Sequence, residues 1–263
     1  MASTAPTRAA LLFDRLVVFG DSLSDTGNAG RFTDGDVWVE YVGRGLGLGV
    51  APARVGGFNY AVGGARTHGG AFSLREQVQL FIATRDSGRP DPATLYIVFG
   101  GSNDLRDLVN VTDRTDRQAG ADAAVVDVAS MLRALVAAGA REFLVPNLPD
   151  IGRTPEARGY GTAWMREARE LTRRFNVGLE RVLKEIERHD DVHVHRLDVF
   201  GLLDAAAADP ERFDLRDLSN PCPAEQRTSG CNGYLFWDAI HPTRIGHEQL
   251  GAAALAALKR DLG

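Results

Sequence analysis

The chain has 263 residues, 44% of them hydrophobic and 25% charged, with a formal net charge of -5 at pH 7. These values suit a soluble globular protein, and without a basic block nucleic acid is excluded as a partner. No apolar run reaches the ~20 residues of a membrane-spanning helix, which leaves at most transient contact with a membrane surface.

No linker, low-complexity tract or repeat interrupts the sequence. A single domain over residues 1–263 is expected, with residues 1–12 as a flexible N-terminal segment. Residues 1–10 lack the hydrophobic centre of a secretory signal. The chain is therefore either cytoplasmic, or one whose signal has been removed and a start Met added.

Leu16-Val17-Val18-Phe19 runs straight into Gly20-Asp21-Ser22, which predicts a buried strand that stops at glycine with Ser22 at its carboxyl end. Turn chemistry follows over residues 25–30. Residues 38–42 read as a short helix ending in the Gly-rich stretch 43–49. Residues 56–65 read as a short strand closed by paired glycines, residues 74–84 as a helix, and residues 94–99 as a buried strand. Val125, Val128, Leu132, Leu135 and Val136 recur at helical spacing up to Gly139. Residues 142–146 form the next strand. Leu171, Phe175, Leu179, Val182 and Ile186 mark one face of a long helix. Residues 192–197 alternate as a strand, 208–232 read as irregular, and 246–262 as a final helix. This alternation predicts an α/β protein: a three-layer α/β/α sandwich with a central parallel sheet of about five strands, flavodoxin-like in its connections.

Ligands of open α/β sheets bind at the carboxyl ends of the strands. Three predicted strand ends carry small or polar residues: Gly20-Asp21-Ser22, Gly63-Gly64 and Gly101-Ser102-Asn103-Asp104. Ser22 is either a helix N-cap or a nucleophile, if a base can reach it. Asp238-Ala239-Ile240-His241 offers that base, with a carboxylate to orient it. Acyl transfer needs a nucleophile, a base, an orienting group and donors for the oxyanion. Ser22, His241 and Asp238 fit the first three, and the Ser22 and Gly64 backbone N–H groups with the Asn103 amide fit the last. Taken singly, the glycines, Asn103 and Asp238 also read as backbone, turn or loop residues. All of them together fit one reaction. Ser22 is not in a G-x-S-x-G elbow and lies near the N-terminus, which disfavours the α/β-hydrolase fold.

Cys222 and Cys231 either bridge a small loop, which implies an oxidising compartment, or stand as two free thiols; too few ligands surround them for zinc. His193 and His195 share one side of a strand without a third metal ligand, so a surface or packed position is expected. His68 either lines the site or sits in a plain loop. His189 and His247 read as helix-surface residues.

These segments resemble the GDSL, or SGNH, esterase/lipase family. Phe19-Gly20-Asp21-Ser22-Leu23-Ser24-Asp25-Thr26-Gly27-Asn28 looks like its first block, with Ser22 as nucleophile. Asn59-Tyr60-Ala61-Val62-Gly63-Gly64-Ala65 looks like the second, whose oxyanion glycine falls on Gly64. Gly101-Ser102-Asn103-Asp104 is similar to the third and puts the oxyanion Asn at Asn103; Asp238 and His241 fit the final D-x-x-H block. The string from Gly233 to Thr243, with the cysteine pair upstream, is similar to bacterial phospholipase/lecithinase/hemolysin-like members and autotransporter esterase passenger domains. The resemblance implies the SGNH hydrolase fold, a serine esterase or lipase working through an acyl-enzyme, and no metal or organic cofactor. It also implies a secreted, periplasmic or cell-surface location. The expected substrate is a small-molecule or lipid ester of moderate acyl length, lysophospholipids included. A carbohydrate O-deacetylase and a non-catalytic ligand-binding module on the same scaffold are the rivals.

Overall fold

The computed structural model describes residues 13–70, 72–84, 93–188, 191–227 and 230–262. The segment 1–12, expected to be flexible, and His189 lie outside them.

Four strands form a parallel sheet in the order β1 (Arg15–Gly20), β2 (Thr94–Phe99), β3 (Glu142–Pro146) and β4 (His193–Leu197). β2 is buried along its whole length and β1 from Leu16 onward, as strands covered on both faces must be. The expected further strand at residues 56–65 is only partly realised. Val18 N–H donates to Phe58 O, Tyr60 N–H to Val18 O and Val62 N–H to Gly20 O, so this stretch runs beside β1, but only Val18 and Asn59 form a bridge. The Asn59 side chain accepts from Ala61 N–H at 2.9 Å, a local turn that competes with the ladder. With this stretch counted, the order is the doubly wound one, and the switch point falls between β1 and β2.

Alternation along the strands assigns the two helical layers. On one face Phe19 and Tyr96 meet Phe81 of α2 (Leu74–Thr84), with ring centroids 5.6 and 5.8 Å apart. On the other face Phe99 packs edge-on against the fully buried Trp38 of α1 (Trp38–Leu46), at 5.8 Å. The first layer continues through α4 (Arg114–Ala137) and α6 (Thr162–Ile186); the second is completed by α8 (Arg244–Leu262), which lies on α1 and against β4.

α1 outruns its expected end at Val42, because Gly43 and Gly45 serve contact rather than termination. A Cβ at Gly45 would lie 2.4 Å from Leu255 of α8. Three helices went unforeseen: α3 (Ser102–Val109), α5 (Pro155–Tyr160) and α7 (Val199–Ala208). Within the stretch expected to be irregular, β5 (Asp217–Pro221) pairs in parallel with β6 (Tyr234–Phe236). Beside this pair Ala206, Phe213, Leu215, Leu235, Phe236 and Ile245 form a second hydrophobic cluster, separate from the main core. Cys222 and Cys231, both buried, are joined in a disulfide next to it.

Candidate active site

β1 ends at the switch point and hands the chain to Asp21 and Ser22. Its last residue is gripped from α2: Gly20 N–H donates to Gln77 Oε1 and Gln77 Nε2 donates to Gly20 O, both at 2.9 Å. The same Nε2 also reaches Phe72 O. A buried amide thus fixes the end of the strand that carries Ser22. The loop after Ser22 is tied to the stretch beside β1. Asp25 accepts from Gly27, Asn28, Ala29 and Gly63 N–H, Asn28 Nδ2 donates to Asn59 O and Ala61 O, and Asn59 Nδ2 donates to Ser24 O. Most polar residues of these two segments therefore hold backbone in place.

His241 arrives from β6. Trp237 N–H donates to His241 O, and Thr243 N–H to Leu235 O, which folds residues 237–243 back on the strand. Within this turn Asp238 Oδ1 accepts from Ile240 and His241 N–H at 2.8 and 2.7 Å, and Oδ2 meets His241 Nδ1 at 2.7 Å. The three-residue spacing lets one carboxylate fix the turn and the ring together. Burial pushes the Asp238 carboxyl up, but the His241 hydrogen bond and charge and the two N–H groups outweigh it and leave it below its ordinary value. His241 Nε2 lies 2.8 Å from Ser22 Oγ, completing a continuous Ser–His–Asp relay.

Phe32 stacks on the His241 ring, centroids 5.1 Å apart. A Cβ at Gly63 would strike Phe32 at 2.3 Å, so this glycine makes room for the ring. Its neighbour Gly64 differs: nothing lies within 4 Å of a Cβ there, but its φ of +80° favours glycine. Asn103 stands at the start of α3, nearly buried, and its Nδ2 donates to Ala65 O at 3.0 Å.

A cavity of about 130 Å³ opens beside this relay, lined by Ser22, Asn103 and His241. Gly64 lies outside its lining, on the exposed loop before Ala65. The rest of the wall is mostly apolar and comes in part from the second cluster, with Leu202, Leu203, Phe213, Leu215, Leu235 and Phe236. Asp21 also reaches it. Burial pushes its carboxyl up to about 6, against the Leu23 N–H bond and the His241 charge.

The other described histidines lie outside the relay. His68 is exposed on a loop outside the cavity. His193 is exposed, whereas His195 is buried between Glu142 at 3.2 Å and Asp261 at 3.1 Å. His247 corrects the expectation of a surface position. It is 1% exposed, because it faces α1, where Nδ1 accepts from Trp38 N–H, and burial pushes it down to about 3. Sequence reasoning missed Gln77, Phe32 and Arg106. Of these only Arg106 had a usable signal, lying three residues beyond Asn103 in a helix that was not foreseen.

Residues 16–254 match the family described as GDSL-like Lipase/Acylhydrolase. An uncharacterized protein of the trpE-trpG intergenic region of Pseudomonas putida is 31% identical over 94% of this chain, and the match spans 48% of that protein. The phosphatidylcholine-sterol acyltransferase of Aeromonas hydrophila is 26% identical over 92% of this chain and 89% of its own length. Among solved structures, a lipolytic G-D-S-L family protein of Veillonella parvula aligns with a TM-score of 0.53 at 13% identity, covering 92% of this chain and 96% of that one. The chain belongs to the GDSL family of ester hydrolases.

Proposed function

We propose that this GDSL family member hydrolyses carboxylic esters of moderate acyl length through an acyl-Ser22 intermediate, acting as one domain. The reading is carried by one observation: the Ser22–His241–Asp238 relay stands at the wall of a cavity that is otherwise mostly apolar. Ser22 Oγ attacks the ester carbonyl as His241 Nε2 takes its proton. The carbonyl oxygen becomes an oxyanion that accepts from the Ser22 and Gly64 N–H groups and Asn103 Nδ2. His241 then gives the proton to the departing alcohol, freeing it and leaving the acyl chain on Ser22. Water, deprotonated by His241, releases the acid by the reverse sequence. Asp238 holds the imidazole in the needed tautomer and steadies the imidazolium.

The apolar wall supports an acyl chain over the acetyl group of a carbohydrate deacetylase, since burying each CH₂ contributes about 0.8 kcal/mol. The intact relay argues against a binding module without turnover. The disulfide supports an oxidising, extracytoplasmic location. Among the described residues no helix is long and apolar enough to cross a membrane. Hydrolysis of a p-nitrophenyl ester series from acetyl to palmitoyl, with Ser22→Ala alongside, tests the proposal. Turnover at an intermediate chain length that disappears in Ser22→Ala is expected. An acetyl optimum favours the deacetylase, and turnover that survives Ser22→Ala overturns the mechanism.

A further inference from the structure

We propose that Arg106 is a positioning residue that sets the orientation of the Asn103 amide and ties it to the loop carrying Asp238 and His241. The inference rests on the reading of Asn103 as an oxyanion donor. A carboxamide has a donor end and an acceptor end of nearly equal shape, so its neighbours decide which end points where. At Asn103 both ends are engaged: Oδ1 accepts from Arg106 Nη1 at 3.3 Å, and Nδ2 donates to Ala65 O at 3.0 Å. The amide nitrogen carries a second hydrogen, and Asn103 lines the cavity beside Ser22. Turned over, the amide would set its NH₂ against a guanidinium and its oxygen against a carbonyl. Arg106 cannot accept and Ala65 O cannot donate, so the turned-over form loses both bonds. It would also present an oxygen where the oxyanion develops.

Arg106 is itself held. Nε and Nη2 donate to the two Glu156 carboxylate oxygens at 2.8 and 2.6 Å, a bidentate pair with both side chains mostly covered. Glu156 N–H, at the start of α5, donates to Ala239 O at 2.9 Å. Ala239 lies inside the turn between Asp238 and His241. The contacts run Ala65, Asn103, Arg106, Glu156, Ala239, and so join the oxyanion side of Ser22 to the imidazole side. The relay itself needs no arginine. The link makes the two sides move as one.

The test is steady-state hydrolysis of p-nitrophenyl butyrate by the full chain and its variants, each checked for folding by thermal melting. Asn103→Ala is expected to lower kcat about 10²-fold, the cost of one oxyanion donor. Arg106→Met is expected to lower kcat about tenfold with KM within about twofold, because the amide is misplaced only in part. Arg106→Lys, which keeps a donor for Oδ1, should lie closer to the parent than Arg106→Met does. In the double variant Asn103→Ala/Arg106→Met, kcat should stay within about twofold of Asn103→Ala alone, since Arg106 acts through the amide. Parental kcat in Arg106→Met, or losses that multiply in the double variant, overturn the proposal. If Arg106→Met does not fold, Glu156→Gln replaces it, with a loss that must likewise vanish in the Asn103→Ala background. Labelling by diethyl p-nitrophenyl phosphate separates the two failures. Ser22 labelled in the parent, with Arg106 variants unimpaired, sinks this inference alone. No labelling of Ser22 sinks the acyl-enzyme reading and this inference with it.

Discussion

Two regions of unequal size meet at Ser22. The sheet and its two helical layers bury Val17, Val18, Phe19, Leu95 and Ile97 completely or nearly so, and Ser22 rides on the end of that core, clamped by Gln77. The region around β5 and β6 has a cluster of six buried apolar residues, one disulfide and short strands. Yet it leads into the turn that carries Asp238 and His241, and it supplies much of the apolar wall of the cavity. Ser22 belongs to the large core. His241 and much of the apolar cavity wall belong to a region with little apolar burial of its own, where a disulfide adds a covalent staple. With the proposed function, the difference implies that stability and substrate selection are set in different places, so each should respond to different substitutions.

The sharpest test crosses the junction. Asp238→Asn should lower kcat about 10⁴-fold, because the amide favours the wrong imidazole tautomer. Its melting temperature should stay near that of the parent, and a parallel drop in stability would mean that the Asp238 turn also holds the fold. The two cores come next. Phe19→Ala should destabilise the whole protein by about 3–5 kcal/mol in urea unfolding, with the chain-length optimum of the folded fraction unchanged. Phe213→Ala, in the smaller cluster, should cost less in global unfolding and move the optimum to longer acyl chains. Identical chain-length profiles would erase the proposed division of labour. Reduction of Cys222–Cys231, or the Cys222→Ser/Cys231→Ser pair, should cost about 2–3 kcal/mol. That loss should appear first as lost turnover, while the far-ultraviolet signal of the helices persists.

The remaining effects are set by pH and arise just past the end of β1 and within β4. Asp21 is held protonated up to about 6, against an ordinary 3.8. Between those values the folded chain keeps a proton that the unfolded chain has lost, so stability falls as pH rises through that window. Asp21→Asn should remove this slope, worth about 2–3 kcal/mol for a shift of about two units. His195 acts in the same direction at higher pH. Burial opposes its charge, but Glu142 and Asp261 outweigh burial and hold it above its ordinary 6.5. The stability it contributes is present below that value and lost as pH rises through the raised one. His195→Gln should flatten the neutral-to-alkaline limb of urea midpoints measured against pH.

The sheet was legible because β1 to β3 are short runs rich in Val, Leu, Ile and Phe that end at Gly or Pro, and β4 alternates, patterns local enough to read one strand at a time. The residues 56–65 misled in part. Their apolar content is strand-like, but the Asn59 side chain diverts the backbone, a competition that composition does not display. Ser22, Asn103, Asp238 and His241 could be singled out because chemistry restricts each position to few residue types. Gln77 could not, since a buried amide within a helix reads like any polar helix residue until the strand it clamps is known. His247 failed for a related reason: an Ala-rich final helix gives little sign of which face is covered, and α8 turns out to be buried against α1. β5, β6 and α7 escaped because the cluster they shelter is stitched from residues far apart in sequence.

Ser22 and His241 are 219 residues apart in the chain, yet share one hydrogen bond. During synthesis the strand that carries the serine is made early, and the four-stranded sheet can assemble before the imidazole exists. Such a nascent chain would own a hydroxyl in its socket and no partner to deprotonate it. On the proposed reading, ester cleavage waits for the turn that brings His241 to Ser22. A fragment ending before residue 238 should be inert, and adding the missing segment back in trans offers a direct assay of whether the restored pair restores turnover.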